Sequence, residues 1–542
     1  MIPDPASEAP TDFPAPKQVY RFTVRRRRCY GPAVSDATFP AQAPINNPVI
    51  PGFHPDPSVC RVGDDYYAAC SSFEYFPGVP IFHSRDLVSW TQIGNALDRP
   101  AQLDLTGTHS SGGVYAPTLR HHGGRFWMAT TSVSSSGHLI VTAQDPAGPW
   151  SDPVSVPLPG IDPDISWDED GTCRLTYSAS PGPGEPSGVM QAAIDPTTGA
   201  VLDTPRTVWG GSGLAYPEAP HLYHVNGSWY LLIAEGGTER GHAVSVARGP
   251  HPWGPFEGCP GNPVLSHRST TSPIQSTGHA DLVQTPDGAW YALLLATRPR
   301  GGTPAFHVLG RETFLTPVRW SPDGWPIPDR VTPGEEAKRE TVERDEFDGD
   351  RLGPAWISLR RPPAEIADLT ARRGWLTLTG SGRTLDETGA AFLGLRQRHF
   401  RFRIRALIDA SDGVGGLVLR IDERHHFELE AGAGRVRCVA RVGSLTQQFG
   451  AVEVVGAEGA VLVIEAVPSA GGFLSPSSPP DTVRLGVERD GAFETLGELD
   501  GRYLSTEVAG GFTGRVAGMY ATSGVVAFDW FEYEGTDGTD GN

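Results

Sequence analysis

One hairpin pattern occurs five times between residues 46 and 330, and it constrains the fold more than any other feature of the chain. In each copy a lead residue is followed, eight and nine positions later, by a turn dipeptide between short apolar runs. Most of these dipeptides are Asp-Gly, Asn-Gly or Gly-Gly, which favour tight β-hairpins because their residues adopt positive φ easily. The lead residues are Asp56, Tyr115, Asp162, Glu218 and His279.

The spacing of these copies indicates a β-propeller. Successive lead residues are 59, 47, 56 and 61 positions apart. All-β repeats of about 40–60 residues with one hairpin each are typical of propeller blades, so five copies predict five blades. The innermost strands of a propeller line a central channel. Residues at equivalent positions in the blades should therefore form a ring at one end of it.

The chemistry of this ring predicts an active site. Asp56 alone, held between Pro55 and Pro57, would be interpreted as an ordinary turn at the start of a strand. Three carboxylates that meet in a semi-enclosed ring are costly, because like charges repel each other and resist desolvation. Glycoside hydrolysis needs such a set. One acid protonates the leaving oxygen, a second activates water or attacks the sugar, and a third can raise the pKa of the proton donor.

Composition limits the class of protein. The chain has 542 residues, more than one core holds, so two or three domains are expected. With 44 basic and 63 acidic residues its net charge is −19, which argues against nucleic acid or anionic membranes as partners. Its 66 glycines and 50 prolines, without long helical periodicity, predict an all-β fold. The six cysteines lack the spacing of a metal cluster or a disulfide framework.

The chain divides into three predicted regions. Residues 46–330 form the propeller, and the segment 310–320 is expected to close its ring. A proline-rich and then charged connector over 321–345 marks a boundary. From 346 to 534 alternating strands and turns predict a β-sandwich.

The N-terminal residues 1–45 are rich in proline and contain four consecutive arginines, 25–28. We expect a disordered extension, with a binding arm as the alternative. No apolar run is long enough for a membrane span, and no apolar signal core follows a basic start. The expected location is therefore the cytoplasm.

Eight segments together resemble glycoside hydrolase family 43, the inverting β-xylosidases and α-L-arabinofuranosidases. The resemblance covers nearly all of residues 46–534, and it implies a five-bladed propeller followed by a β-sandwich domain that closes the active-site pocket. The segments are Asn47–Ser58, Ser72–Val79, Gly112–Pro117, Gly160–Pro163, Glu218–Tyr223, Ala234–Thr238, Gly278–Asp281 and Gly310–Glu312.

The resemblance assigns roles to the three acids of the ring. Asp56 corresponds to the general base that activates water, and Glu218 to the general acid. Asp162 corresponds to the third acid, which tunes and orients Glu218. His279 occupies the position of a central histidine that ligates calcium in some members, although a hydrogen-bonding role is an equal alternative.

Further residues are expected to bind the substrate. Phe73 and Tyr115 would stack on a sugar ring, with ordinary packing between blades as the alternative for Phe73. By resemblance, Arg311 contacts the substrate and the third acid, and Phe512 lies on the sandwich loop that closes the pocket. Tyr115 stands where many members have tryptophan, which leaves the sugar preference open.

These features predict an exo-acting, inverting glycosidase that releases terminal β-D-xylose from xylo-oligosaccharides. An α-L-arabinofuranosidase or a dual enzyme is the alternative within the class, and a non-catalytic carbohydrate-binding propeller is the alternative outside it. Five-bladed enzymes that cleave sucrose or fructan are disfavoured, because Asp56 follows His54-Pro55 rather than an Asn-Asp-Pro start. The bond chemistry needs no cofactor, calcium at the channel stays open, and self-association into a homo-oligomer is allowed.

Overall fold

The computed structural model describes residues 45–537, with gaps at 135–136, 181, 183–186, 335–339, 454–458, 470–474 and 476. The predicted N-terminal extension therefore lies, except for Ile45, outside the described residues. Across the described part the secondary structure is almost entirely β, as the composition predicted. No helix in this part is long and apolar enough to cross a membrane.

A five-bladed propeller forms the first half of the described chain. Each blade is a four-stranded antiparallel sheet whose strands pair in chain order, which confirms the number of blades read from the repeat. The strands are Ser58–Val62, Asp65–Ala69, Gly78–Ser84 and Thr91–Leu97 in blade 1; Thr118–His122, Arg125–Ser132, Gly137–Ala143 and Val154–Val156 in blade 2; Ile161–Trp167, Cys173–Ala179, Gly188–Ile194 and Arg206–Trp209 in blade 3; Glu218–Val225, Ser228–Glu235, Ala243–Gly249 and Glu257–Gly258 in blade 4; and Gln275–Gln284, Trp290–Thr297, Glu312–Trp320 and Pro326–Pro328 in blade 5.

The repeated hairpin supplies the two innermost strands of every blade. In blade 4, for example, Val225 pairs with Ser228 across the turn. The turn residues Asn226 and Gly227 have φ of 51° and 76°, the left-handed geometry that a two-residue hairpin requires. The predicted dipeptide is itself the two-residue turn in blades 2 and 4. In blade 1 the turn lies one residue earlier, at Gly63-Asp64, and in blades 3 and 5 the dipeptide lies within a five-residue loop.

The ring closes between blade 5 and blade 1. Leu293 and Leu315 of blade 5 pack in one cluster with Val59 and Ala68 of blade 1. The predicted closing segment 310–320 is the third strand of blade 5, and its Thr313 also forms a β-bridge with Ile50, ahead of blade 1.

A β-sandwich follows the propeller. Its strands are Glu340–Asp345, Ile357–Leu359, Ala367–Asp368, Leu376–Thr379, Ala391–Arg396, Arg401–Asp422, His425–Gly432, Arg435–Val442, Leu445–Glu453, Ala460–Pro468, Asp481–Arg489, Ala492–Asp500 and Val516–Thr536. The first strand begins earlier than the expected boundary at 346. It pairs with the last strand of the chain, a long-range partner that local sequence does not reveal.

Two long strands, Arg401–Asp422 and Val516–Thr536, run through both layers of the sandwich. Arg401–Asp422 pairs with Ala460–Pro468 along its first half and with His425–Gly432 along its second half. Register shifts near its middle allow the strand to bend between the layers. The helical segments are short: Pro363–Glu365, Gly501–Leu504 and Thr506–Ala509.

The sandwich packs directly against the propeller around the channel mouth. Tyr75–Phe76, within blade 1, pairs with Ile357–Leu359 and so joins the sandwich sheet. The loop that precedes Val516 approaches the start of the third strand of blade 5. A Cβ atom on Gly514 would lie 2.6 Å from the Leu309 carbonyl oxygen, so this approach requires glycine. The approach brings residue 512 to the propeller.

Candidate active site

The backbone is distorted where the innermost strands begin, and this distortion aims the ring residues. Asp56, Asp162 and His279 have φ of 55°, 55° and 49°, and Ala219, next to Glu218, has φ of 52°. Strand register shifts occur at the ring position in blades 3, 4 and 5. Bulges redirect side chains, and left-handed residues other than glycine concentrate at functional sites.

A narrow cavity of about 80 Å³ lies at this end of the channel. The structure brings to it every residue that the sequence proposed for the site. These are Asp56, Phe73, Tyr115, Asp162, Glu218, His279, Arg311 and Phe512. Ala116, Ile161, Thr238 and His242 complete its wall.

Asp56 is buried and held in its charged form. Arg311 donates from Nη1 to its Oδ1 atom at 2.8 Å, and the Ser71 hydroxyl donates to Oδ2 at 2.6 Å. The Nδ1 atom of His279 lies 3.4 Å from Oδ1. Burial opposes ionisation, but Arg311, His279 and Ser71 outweigh it and hold the pKa of Asp56 below its usual value. A carboxylate in this state can accept a proton from water.

The pKa values of Asp162 and Glu218 are shifted in the opposite direction to that of Asp56. Burial, followed by repulsion from Glu218 and Asp56, raises the pKa of Asp162 well above its ordinary value. Burial and the charge of Asp56 raise the pKa of Glu218 to about 7. Two such acids titrate as a pair. Near neutral pH the pair retains a proton that Glu218 can donate.

Arg311 links the acids to the rest of the pocket. Besides Asp56, it donates to Thr238 Oγ1 at 3.0 Å and to the Phe512 carbonyl oxygen at 3.3 Å. The hydrogen bond to an acid is thus made to Asp56, whereas the resemblance implied a contact with Asp162. The guanidinium fixes the charged acid and the sandwich loop at the same time.

Aromatic rings form one side of the cavity. Phe73 lies 6.0 Å from Phe512 with a tilt of 28° between the rings, and Tyr115 lies 5.4 Å from Phe73. Phe53 supports Phe73 from behind at 5.8 Å. Because Phe73 is buried, Tyr115 and Phe512 provide most of the exposed aromatic surface. Such rings suit the apolar face of a sugar.

One hydrogen bond docks the sandwich loop onto the segment before blade 2, and a second holds that segment against blade 1. The backbone N–H of Phe512 donates to the Ser111 hydroxyl at 2.9 Å. The backbone N–H of Ser111 donates in turn to Oε2 of the fully buried Glu74 at 2.9 Å. The position of Phe512 therefore depends on residues of both domains.

Replacing Phe512 by Ala is expected to raise KM roughly tenfold with a smaller effect on kcat. An aromatic contact of this kind contributes about 1–1.5 kcal/mol, and 1.4 kcal/mol is tenfold in affinity. The measurement is Michaelis–Menten kinetics on an aryl glycoside. Phe449→Ala, an exposed aromatic on the same domain, is the matched control. An unchanged KM would remove Phe512 from the substrate site.

His242 reaches the cavity without a signal in the sequence. Its Nδ1 atom hydrogen-bonds the Ser276 carbonyl oxygen at 3.0 Å, and its Nε2 atom has no partner among the described residues. Burial lowers the pKa of His242 to about 4, so the ring is neutral. A Cβ on Gly278 would lie 2.3 Å from this ring, so glycine makes room for it. Its free nitrogen can meet a sugar hydroxyl.

The channel below His279 does not fit a calcium ion. Calcium takes about six to eight oxygen ligands. Two further buried carboxylates of the innermost strands, Asp164 and Asp281, are each 2.8 Å from the guanidinium of Arg120. Over the described part of the chain, no three His, Cys, Asp or Glu side chains are grouped to hold a metal. His279 instead lies against Asp56.

Comparison with known proteins gives matches over both domains. Residues 45–326 match the family model described as glycosyl hydrolases family 43. Residues 344–534 match the model described as the beta xylosidase C-terminal Concanavalin A-like domain. Together these matches span the propeller and the sandwich.

Individual relatives cover almost the whole chain. A non-reducing end alpha-L-arabinofuranosidase from Bacteroides ovatus is 38% identical over 533 residues, 92% of this chain and 96% of that protein. A xylosidase/arabinosidase from Butyrivibrio fibrisolvens is 37% identical over 88% of this chain and 96% of that protein. The crystal structure of xylan beta-1,4-xylosidase from Bacillus halodurans is similar with a TM-score of 0.81 at 30% identity, covering 90% of this chain and 100% of that one.

Proposed function

This chain belongs to glycosyl hydrolase family 43, and from that premise we propose that it releases terminal β-D-xylose from xylo-oligosaccharides with inversion at the anomeric carbon. The observation that carries the proposal is the opposite pKa displacement of two acids in one pocket. The pKa of Asp56 is lowered and that of Glu218 is raised to about 7. Two carboxyl groups whose pKa values are shifted in opposite directions can act as a base and an acid.

The proposed reaction is a single displacement. Asp56 takes a proton from a water molecule, whose oxygen attacks the anomeric carbon. Glu218 gives its proton to the glycosidic oxygen, so that the C–O bond breaks and the leaving sugar departs as an alcohol. Glu218 ends as a carboxylate and Asp56 as an acid, and exchange with solvent resets both. Asp162, whose pKa is raised by burial and by the charge of Glu218, titrates together with Glu218 and shares its proton.

The shape of the site supports attack on chain ends. The cavity of about 80 Å³ is closed on one side by Phe512, which the sandwich domain supplies. This wall is fixed by two hydrogen bonds: the Phe512 N–H donates to Ser111, and Arg311 donates to the Phe512 carbonyl oxygen. A site this narrow holds a single terminal sugar, and the rest of the chain extends outside.

Arabinofuranose is the second candidate for the released sugar. One relative that covers 92% of this chain is named an arabinofuranosidase, and another is named a xylosidase/arabinosidase. A pentofuranose and a pentopyranose can present similar hydroxyl groups to one pocket. Tyr115, at the aromatic wall, is a position at which this preference can be set.

An NMR time course tests the function directly. Xylobiose and an arabino-oligosaccharide are each incubated with the enzyme, and the released sugar and its first anomeric form are recorded. Appearance of α-xylose from xylobiose before mutarotation supports the proposal. Release of arabinose alone would show that the enzyme is an arabinofuranosidase rather than a xylosidase. First appearance of β-xylose would exclude inversion. Binding without product, measured by titration calorimetry, would favour the carbohydrate-binding alternative.

The pH profile of kcat/KM should follow the two displaced pKa values. Activity should fall above about pH 7, where Glu218 loses its proton, and should persist on the acid side until Asp56 is protonated. Asp162→Asn removes the acid that shares a proton with Glu218, so the alkaline fall should shift to lower pH. The surface variant Asp98→Asn should leave the profile unchanged. An alkaline limb that does not move in Asp162→Asn would contradict the coupling.

A further inference from the structure

A second ring of charged residues lies inside the channel, one step beyond the acids of the active site. Its centre is Arg120, on the first strand of blade 2. The guanidinium donates from Nη1 to Asp281 Oδ2 and from Nη2 to Asp164 Oδ1, each at 2.8 Å. It also donates to His221 Nδ1 at 3.0 Å and to the Ser58 hydroxyl at 3.2 Å. One cation thus contacts four other blades.

The first carboxylate, Asp281, connects the His279 strand to the Asp56 strand. It follows His279 by two residues. Its Oδ2 atom accepts from the Ser58 hydroxyl at 2.6 Å and from the backbone N–H of Val59 at 2.9 Å. These two donors come directly after the Asp56 turn. Asp281 therefore fixes the start of the strand that aims the proposed base.

The second carboxylate, Asp164, connects the Asp162 strand to the Glu218 strand. It follows Asp162 by two residues, across the bulge between Ile161 and Asp164. Its Oδ2 atom accepts from the backbone N–H of Leu222 at 3.1 Å. Leu222 belongs to the innermost strand that begins at Glu218. Asp164 therefore fixes the two strands that carry the proton-sharing pair.

Both carboxylates are fully buried, and they depend on contact with a cation in addition to their hydrogen-bond donors. The side chains of Asp164 and Asp281 have 0% exposure. Without a cation, two carboxylates at this depth would repel each other and lack compensation for their lost hydration. The planar guanidinium neutralises both at once, and an ammonium point charge lacks this geometry.

We propose that Arg120 is a positioning residue for catalysis, a built-in cation on the propeller axis that takes the place of a metal ion and holds the strands of Asp56, Asp162 and Glu218 in register. Because Arg120 already pairs with these two carboxylates, they are not available as ligands for a calcium ion. The inference rests on the proposed hydrolysis, since its readout is the turnover of a glycoside.

The test combines a charge-removing variant with added cations. Arg120→Met should lower kcat about 100-fold with little change in KM, because small displacements of catalytic groups cost about that much. Guanidinium or CaCl2 should restore part of this kcat, since two buried carboxylates are then free to bind a cation. The kcat of Arg120→Lys should lie between that of Arg120→Met and that of the native enzyme. Arg125→Met, an exposed arginine on the same hairpin, is the control and should match the native enzyme.

The native enzyme provides a readout that does not depend on folding of the variants. Its kcat should be unaffected by EDTA and by added CaCl2. Loss of activity in EDTA with recovery in CaCl2 would overturn the proposal, as would a native kcat in Arg120→Met or a loss that neither cation restores. If Arg120→Met does not fold, Arg120→Lys decides: a lowered kcat restored by guanidinium supports the proposal, and a native kcat overturns it. A native enzyme inactive on every aryl pentoside would instead remove the proposed function.

Discussion

Glu218→Gln is expected to lower kcat by about 10²–10⁴-fold on glycosides with poor leaving groups, the usual contribution of a general acid. The substituted amide keeps the size of the side chain but has no acidic proton to give. In the native protein this proton is available near neutral pH, because burial and the charge of Asp56 raise the pKa of Glu218 to about 7.

The leaving group separates this role from a general loss of structure. A dinitrophenol departs as a stable anion and needs no protonation, so the variant should retain most of its turnover on a dinitrophenyl xyloside. An alkyl xyloside or xylobiose needs the proton and should show the full loss. The alkaline fall of kcat/KM should also disappear, since the group that titrates there is gone.

A matched control is available in the same blade. Glu257 is an exposed glutamate on the outer strand of blade 4, and Glu257→Gln should leave all three measurements unchanged. An equal loss of activity on dinitrophenyl and alkyl substrates in Glu218→Gln would show that Glu218 acts in some way other than as the acid.

The position of the acids could be predicted from the sequence because the propeller repeats. Turn dipeptides such as Asn226-Gly227 are local signals, and fivefold repetition converts local offsets into a spatial ring. The five ring residues lie at one cavity for this reason. The family resemblance then gave each of Asp56, Asp162 and Glu218 a role, which the directions of their pKa shifts support.

Contacts between repeats left no comparable signal. His242 directly precedes the third strand of blade 4, outside the repeated hairpin, and it reaches the pocket only because Gly278 leaves space. The bulges at the ring positions are also silent in the sequence, because they arise from how each strand meets its neighbours. The hydrogen bond from Arg311 to Asp56 is a further contact of this kind.

The second carboxylate pair was hidden in the same way. Asp164 and Asp281 each stand two residues after a ring residue, Asp162 and His279. The alternation of a strand does not predict where they point, because a bulge lies within each pair. Only the three-dimensional structure brings both carboxylates to Arg120.

Asp56→Asn is the variant of choice for the proposed base, because of the backbone at this position. Asp56 has φ of 55°, a left-handed conformation that asparagine adopts far more readily than alanine. The amide can still accept a hydrogen bond from Ser71 or Arg311, so the fold should persist. The variant lacks only the negative charge that takes a proton from water.

The expected loss of kcat is again about 10²–10⁴-fold, but with a different dependence on substrate. Attack by water is needed whatever group departs, so dinitrophenyl and alkyl xylosides should lose activity to a similar extent. The contrast with Glu218→Gln assigns the base and the acid by kinetics alone. Asp64→Asn, at an exposed turn of the same blade, is the control and should retain native turnover.

The absence of the Asp56 carboxylate should also change the pH profile of kcat/KM. In the native protein Arg311 holds Asp56 ionised well into the acid range, so the acid limb of kcat/KM belongs to this carboxylate. In Asp56→Asn that limb should vanish, and the alkaline limb should move to lower pH because Glu218 has lost a negative neighbour. A variant that keeps both limbs, or that hydrolyses dinitrophenyl xyloside at the native rate, would show that another group activates the water.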